Sequence, residues 1–203
     1  EKFSNEKTIN ISLGYHPQLI EEYPNELNIF LKYVKEASFI GEVGLDISSK
    51  KTNNIELQKK IFESIVHECA RVGNKIISIH SRKTDDIIFD FLKRSSCIYI
   101  MHWYTGNIKR LLNVMSSDDN IYASINSDMV HSSNGRKLIE AVPLSRMVLE
   151  TDAPFTAETK NEYPKQILNE IVIEIAKIKK IERLQVLKTI SNNSRKILSI
   201  QER

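Results

Sequence analysis

Six short β-branched or apolar runs alternate with longer amphipathic ones along the chain, and this alternation most constrains what it can fold into. Strands separated by helical crossovers cannot pair as hairpins, so they are expected to lie parallel in one α/β sheet. The strands are expected at residues 8–13, 39–43, 75–79, 98–102, 121–125 and 147–150. Helices are expected at 25–35, 55–72, 85–93, 108–115 and 135–141. Three more are expected in the tail, at 165–179, 183–189 and 194–200. In the long helix, Leu57, Ile61, Ile65 and Cys69 recur at four-residue spacing, and Gly73-Asn74 ends it as a C-cap does.

Four of the strands end on side chains able to hold a metal. Glu42 follows Phe39-Ile40-Gly41, His80 follows Ile76-Ile77-Ser78-Ile79, His102 follows Ile98-Tyr99-Ile100-Met101, and Asp152 closes Met147-Val148-Leu149-Glu150-Thr151. An open doubly wound sheet collects ligands at one crevice, whereas a closed barrel brings every strand end together. These donors fall on the second, third, fourth and sixth strands, which favours a TIM (β/α)8 barrel. Two βα units are then missing, about 50 residues, from a single barrel domain over 1–203 that is expected to be N-terminally incomplete. Carboxylates with neutral imidazoles suit a hydrolytic divalent centre.

Composition narrows the surroundings. Lys and Arg total 29 against 26 Asp and Glu among 203 residues, so no strong basic field argues by itself for nucleic acid. Cys69 and Cys97 have no CxxC spacing and read as reduced, buried thiols of a cytoplasmic protein. No apolar run reaches the length of a membrane span, so no membrane partner is expected. Ser81 has no Ser/His/Asp arrangement around it.

The motifs Gly14-Tyr15-His16-Pro17, Gly41-Glu42-Val43-Gly44-Leu45-Asp46, Ile79-His80-Ser81-Arg82, His102-Trp103-Tyr104-Thr105-Gly106, Leu149-Glu150-Thr151-Asp152-Ala153-Pro154 and Asn193-Ser194-Arg195 resemble, in this order, those of the TatD family of metal-dependent deoxyribonucleases. The resemblance runs from about residue 8 to the end. His16-Pro17-Gln18-Leu19, Ile77-Ser78-Ile79-His80-Ser81-Arg82 and Trp103 resemble a narrower branch, the TatD-type nucleases of the Qat anti-phage defence system.

The resemblance implies two divalent ions (Mg, Mn or Zn) and no organic cofactor. Glu42 would bridge them, His80 and His102 would hold one, and Asp152 would share the other with a His-x-His pair and handle the attacking water. It makes Glu42 and Asp152 the catalytic pair. Arg82, His16 and Trp103 would contact DNA at single-stranded ends, with Trp103 or Tyr104 under a base, and Asp46 and Glu150 would support the ligands. Other proteins of a defence system are implied as partners. The sequence has no His-x-His; its histidines are His16, His67, His80, His102 and His131. The expectation is therefore an incomplete centre that loads metal poorly, with Asp152 short of partners. Two further readings stand beside the nuclease: an ester or amide hydrolase on the same barrel, acting for example on an aminoacyl-tRNA, and a non-catalytic subunit of a defence complex.

Overall fold

The computed structural model describes residues 10–48, 54–156 and 164–202. Six strands form one parallel sheet: β1 (Ser12–Leu13), β2 (Phe39–Asp46), β3 (Ile76–Arg82), β4 (Ile98–Met101), β5 (Ile121–Ile125) and β6 (Met147–Leu149). Their order in space is their order in sequence. A doubly wound sheet reverses direction at a switch point, and this one does not. The expected start of the first strand, at Thr8, lies outside the described residues.

Seven helices are described: α1 (Leu27–Tyr33), α2 (Ile55–Val72), α3 (Ile108–Ser117), α4 (Ser127–His131), α5 (Ser133–Ala141), α6 (Pro164–Lys179) and α7 (Arg183–Leu198). Asn54, Asn107, Asn126 and Ser132 cap α2 to α5, each side-chain oxygen accepting a first-turn N–H. Among the described residues no helix is long and apolar enough to cross a membrane.

Three local expectations are corrected. Residues 85–93 form only a 3-10 turn at Ile88–Phe91. Asp85 is drawn away to accept from the Asn107 N–H at 2.9 Å, and Leu92 leaves in extended conformation. The expected break near Thr189 does not occur, and α7 runs unbroken. Buried Asn193 sits inside it and donates to the carbonyls of Leu144 and Met147 at 2.9 and 2.8 Å, bracing the entry to β6. His131, outside every expected helix, ends the short helix α4.

Side-chain alternation along the strands decides what each face carries. Ile77, Ile79, Tyr99, Met101, Ala123, Ile125 and Met147 join the main core with α2, α5 and α6. On the other face, Ile76, Ile98, Tyr122 and Val148 pack with Ile197 and Ile200. Two and four residues further along that same face come Ser78 and His80, Ile100 and His102, Ser124 and Asn126, and Glu150. The face is thus apolar where the strands begin and polar where they end. Cys69 and Cys97 are free and fully buried in the main core, and burial pushes the Cys69 thiol up to about 12.

Candidate metal centre

The polar strand ends converge because the ladder continues just past the strands. The His102 N–H donates to Ile79 at 3.0 Å and the Glu150 N–H to Ile125 at 3.1 Å, so both residues are fixed by the neighbouring strand. Glu42 lies where the β2–β3 register shifts, between Ile40 and Val43. An extra residue there turns the side chain onto the inner face. The Tyr15 N–H donates to the Glu42 carbonyl at 3.0 Å, which brings His16 alongside.

Glu42 Oε2 is the hub. It lies 3.2 Å from His80 Nδ1, 3.6 Å from His102 Nε2 and 3.7 Å from His16 Nε2. His102 Nε2 also faces Asp152 Oδ1 at 3.5 Å. Among the described residues two groups have three donor atoms within 4.8 Å of one another: His16, Glu42 and His80, and Glu42, His102 and Asp152. The expected pairing of His80 with His102 is therefore divided differently. Each histidine joins a separate group, and Glu42 is common to both. His16, expected on phosphate, stands among the donors, with its ring edge-on to His80 at 4.6 Å. Asp152, expected to lack partners, faces both Glu42 and His102.

Asp46 and Glu150 hold the imidazoles from behind. Asp46 is fully buried and meets His80 Nε2 at 3.0 Å. It also accepts from Gln18 Nε2 at 2.8 Å and the Ser48 N–H at 2.7 Å. Burial alone would raise its pKa, but these hydrogen bonds hold it at about 2. Gln58 clamps the Asp46 backbone from α2, accepting its N–H at 2.8 Å and donating to its carbonyl at 3.0 Å. Glu150 faces His102 Nδ1 at 2.7 Å and accepts from Ser124 Oγ, from Asn126 Nδ2 at 3.1 Å and from the Trp103 N–H at 3.1 Å. Burial depresses the His102 pKa, but the Glu150 bond and the charges of Glu42 and Asp152 outweigh it and push the value up to about 9. Burial also works to raise Glu42, yet its hydrogen bond with His80 and the imidazoles around it leave it lowered. Burial raises Asp152, with Glu150 and Glu42 adding repulsion. Burial lowers His16, and His80 lowers it further.

The centre lies in a cleft of about 520 Å³ walled by Arg82, Trp103, Leu19 and Phe155. Arg82 is exposed there, able to meet a phosphate. Trp103 is half-buried and forms a wall. Tyr104 is excluded as a platform: it is 1% exposed, with its hydroxyl donating to the Asn107 carbonyl and its ring against Phe89. Among the described residues four carboxylates and three imidazoles meet one guanidinium, a balance that repels a phosphodiester until cations are added. Carboxylate and imidazole donors in two triads suit divalent ions, so the residues present fit a metal.

Gln18, Gln58, Ser124 and Asn126 were missed by sequence reasoning. Their amides and hydroxyls lie in ordinary strand, turn and helix segments, and only the folded arrangement aims them at Asp46 and Glu150. Replacing Glu150 with glutamine is expected to lower metal affinity and hydrolysis about 10–100-fold. The amide would point a donor at Asn126, Trp103 or Ser124 and release His102. Metal titration of the variant, monitored calorimetrically, checks this, and unchanged affinity would remove Glu150 from the support of His102.

A family model described as TatD related DNase matches residues 1–199. An uncharacterized metal-dependent hydrolase of Methanocaldococcus jannaschii is 31% identical over 193 residues, covering 92% of this chain and 74% of that protein. The 3′-5′ RNA nuclease TATDN2 of Homo sapiens is 26% identical over 164 residues, covering 76% of this chain but only 21% of that protein. Among solved structures, the TatD homolog YJJV of Escherichia coli superposes with a TM-score of 0.78 over 95% of this chain and 78% of that one. At 18% identity, that likeness shows the shared fold.

Proposed function

The chain belongs to the TatD-related DNase family, and on that premise we propose that it hydrolyses DNA phosphodiester bonds at single-stranded ends. The observation that carries this reading is a single carboxylate, Glu42, shared by two donor triads at the base of a cleft with a guanidinium on its rim. His16, Glu42 and His80 would hold one divalent ion, and Glu42, His102 and Asp152 the other. Ions bound there supply charge that acidifies water and offsets the negative phosphate.

The chain's own residues do the rest. Arg82 pairs with a non-bridging phosphate oxygen and fixes the backbone of the strand. Asp152 is the carboxylate placed to accept the proton of the attacking water. Asp46 and Glu150 hold His80 and His102 in one ring orientation, so the donors need little rearrangement when substrate arrives. Trp103 and Leu19 close the sides and limit water.

We also assign the chain to Qat anti-phage defence, acting in the cytoplasm with other proteins of that system. The motifs around His16, His80 and Trp103 support this. The human relative's name supports RNA as a second substrate. A labelled single-stranded DNA, the same sequence as RNA, and an aminoacyl ester, each assayed with Mg, Mn or Zn and again after chelation, test the reading. Chelator-sensitive shortening of DNA from an end is expected. Hydrolysis of the ester with both oligonucleotides left intact would overturn the nuclease in favour of the esterase.

A further inference from the structure

We propose that Phe155 is a stacking platform for an unpaired terminal base, which makes the substrate a single-stranded nucleic-acid end and not a compact phosphoester. The inference rests on the nuclease reading above and names what that site selects. Among the described residues no large apolar side chain is more exposed than Phe155, at 78%. It lines the same cleft as Glu42, Asp152 and Arg82. It lies three residues after Asp152, so a group on its ring is close to the donor atoms along the chain.

Its exposure is built into the turn that carries it. The Phe155 N–H donates to the Asp152 carbonyl at 2.7 Å. The next residue, Thr156, is fully buried and donates from Oγ1 to the Thr151 carbonyl at 2.8 Å. The backbone is thus anchored on both sides of Phe155 while the ring faces outward, a position where hydrophobic burial gives nothing back. An aromatic face in the same cleft as an exposed guanidinium is an arrangement that can receive a base and its phosphate together. A base inside a duplex has both faces covered by its neighbours, so only a terminal or unpaired base can use the ring. Trp103, half-buried with its backbone tied to Glu150, is left as the wall.

The alternative occupant is an apolar acyl group, which needs area and no aromatic face. Phe155→Leu separates the two, because leucine keeps the area and loses the π-system, while Phe155→Tyr keeps the π-system. The full chain, loaded with metal, is assayed for steady-state cleavage of a single-stranded DNA. It is also titrated with a phosphorothioate-protected copy by fluorescence anisotropy. Phe155→Ala and Phe155→Leu are expected to raise KM and Kd about tenfold, with the loss in KM and not in kcat, since the ring touches no reacting atom. Phe155→Tyr is expected to restore both constants. Oligonucleotides abasic at the 3′ or the 5′ end complete the cycle: at one end, removing the base is expected to cost wild type the same tenfold and Phe155→Ala nothing more. A Phe155→Leu variant equal to wild type, or losses that multiply in the cycle at both ends, would overturn the platform. Cleavage with a Kd indifferent to Phe155 would also overturn the platform and leave the nuclease. Phe155-dependent binding without cleavage would support the platform and remove the nuclease. No binding by wild type would remove both.

Discussion

Replacing Glu42 with glutamine is expected to lower kcat/KM for DNA by about 10³-fold or more while leaving the protein folded. The amide has the volume of the carboxylate, and Glu42 is only part-buried, so the packing cost is small. The chemical cost is large because both donor triads contain Glu42. Its loss removes one anionic ligand from each at once, and with them several kcal/mol of charge stabilisation in the reaction. The contrast with Glu150→Gln is instructive. Both carboxylates approach His102, but Glu150 meets Nδ1 from behind and Glu42 meets the Nε2 that faces the cleft. On the proposed two-triad site, one variant would disturb a ligand's orientation and the other would remove a ligand. Elemental analysis after dialysis checks the same point without turnover: up to two ions per chain are expected in wild type and fewer than one in the variant. On the defence reading, a strain carrying this substitution should also stop restricting phage. Wild-type rates with normal metal content would sink the site assignment.

How much of this centre was legible in the sequence depends on the interaction each residue uses. The donors Glu42, His80, His102 and Asp152 were legible as a group because parallel strands present their C-terminal halves together, although β2 and β3 run on past Glu42 and His80 to Asp46 and Arg82 and the strand ends expected there are corrected. Their grouping was not. It depends on which ring nitrogen faces the cleft, and that is set by Asp46 behind His80 and Glu150 behind His102. His16 reaches Glu42 through a β1–β2 contact between residues far apart in the chain, which no local pattern encodes. The sequence also shows no trace of the Asn126 double role, capping α4 through Oδ1 while donating to Glu150 through Nδ2. The starts of α2 and α3 fell where expected; α4, capped by Asn126, was not expected, and the 85–93 segment was misread because Asp85 answers to Asn107 across the fold. The unbroken α7 was missed for a similar reason. Ser191-Asn192-Asn193 reads as a breaker until Asn193 is seen bonding outside its own helix.

Gly44 carries the second large expectation: Gly44→Ala should lower stability by at least about 3 kcal/mol and take the His80 side of the centre with it. Gly44 has a φ of +145°, where an L side chain is strained whatever the space around it. The space is absent as well. A Cβ there would lie 2.0 Å from the His80 carbonyl oxygen and 3.0 Å from its amide nitrogen, and these are backbone atoms of the paired strand that cannot swing aside. The strands must part at the pair Gly44–His80, two residues from where β3 ends its sheet contacts at Arg82 and two residues from Glu42. For a chain of this length the loss corresponds to a fall in Tm of roughly 10 °C. Gly73→Ala is the internal control. Gly73 also has positive φ, at +79°, but its nearest neighbour is the movable Ser96 hydroxyl at 2.7 Å, so a cost of about 1 kcal/mol is expected. Thermal unfolding of both variants, with metal titration of each, separates the effects. Gly44→Ala should lose Tm and metal affinity together, whereas Gly73→Ala should lose a few degrees and bind metal normally. If Gly44→Ala melted within about 2 °C of wild type, the close approach of β2 to β3 would not be what sets Glu42 against His80.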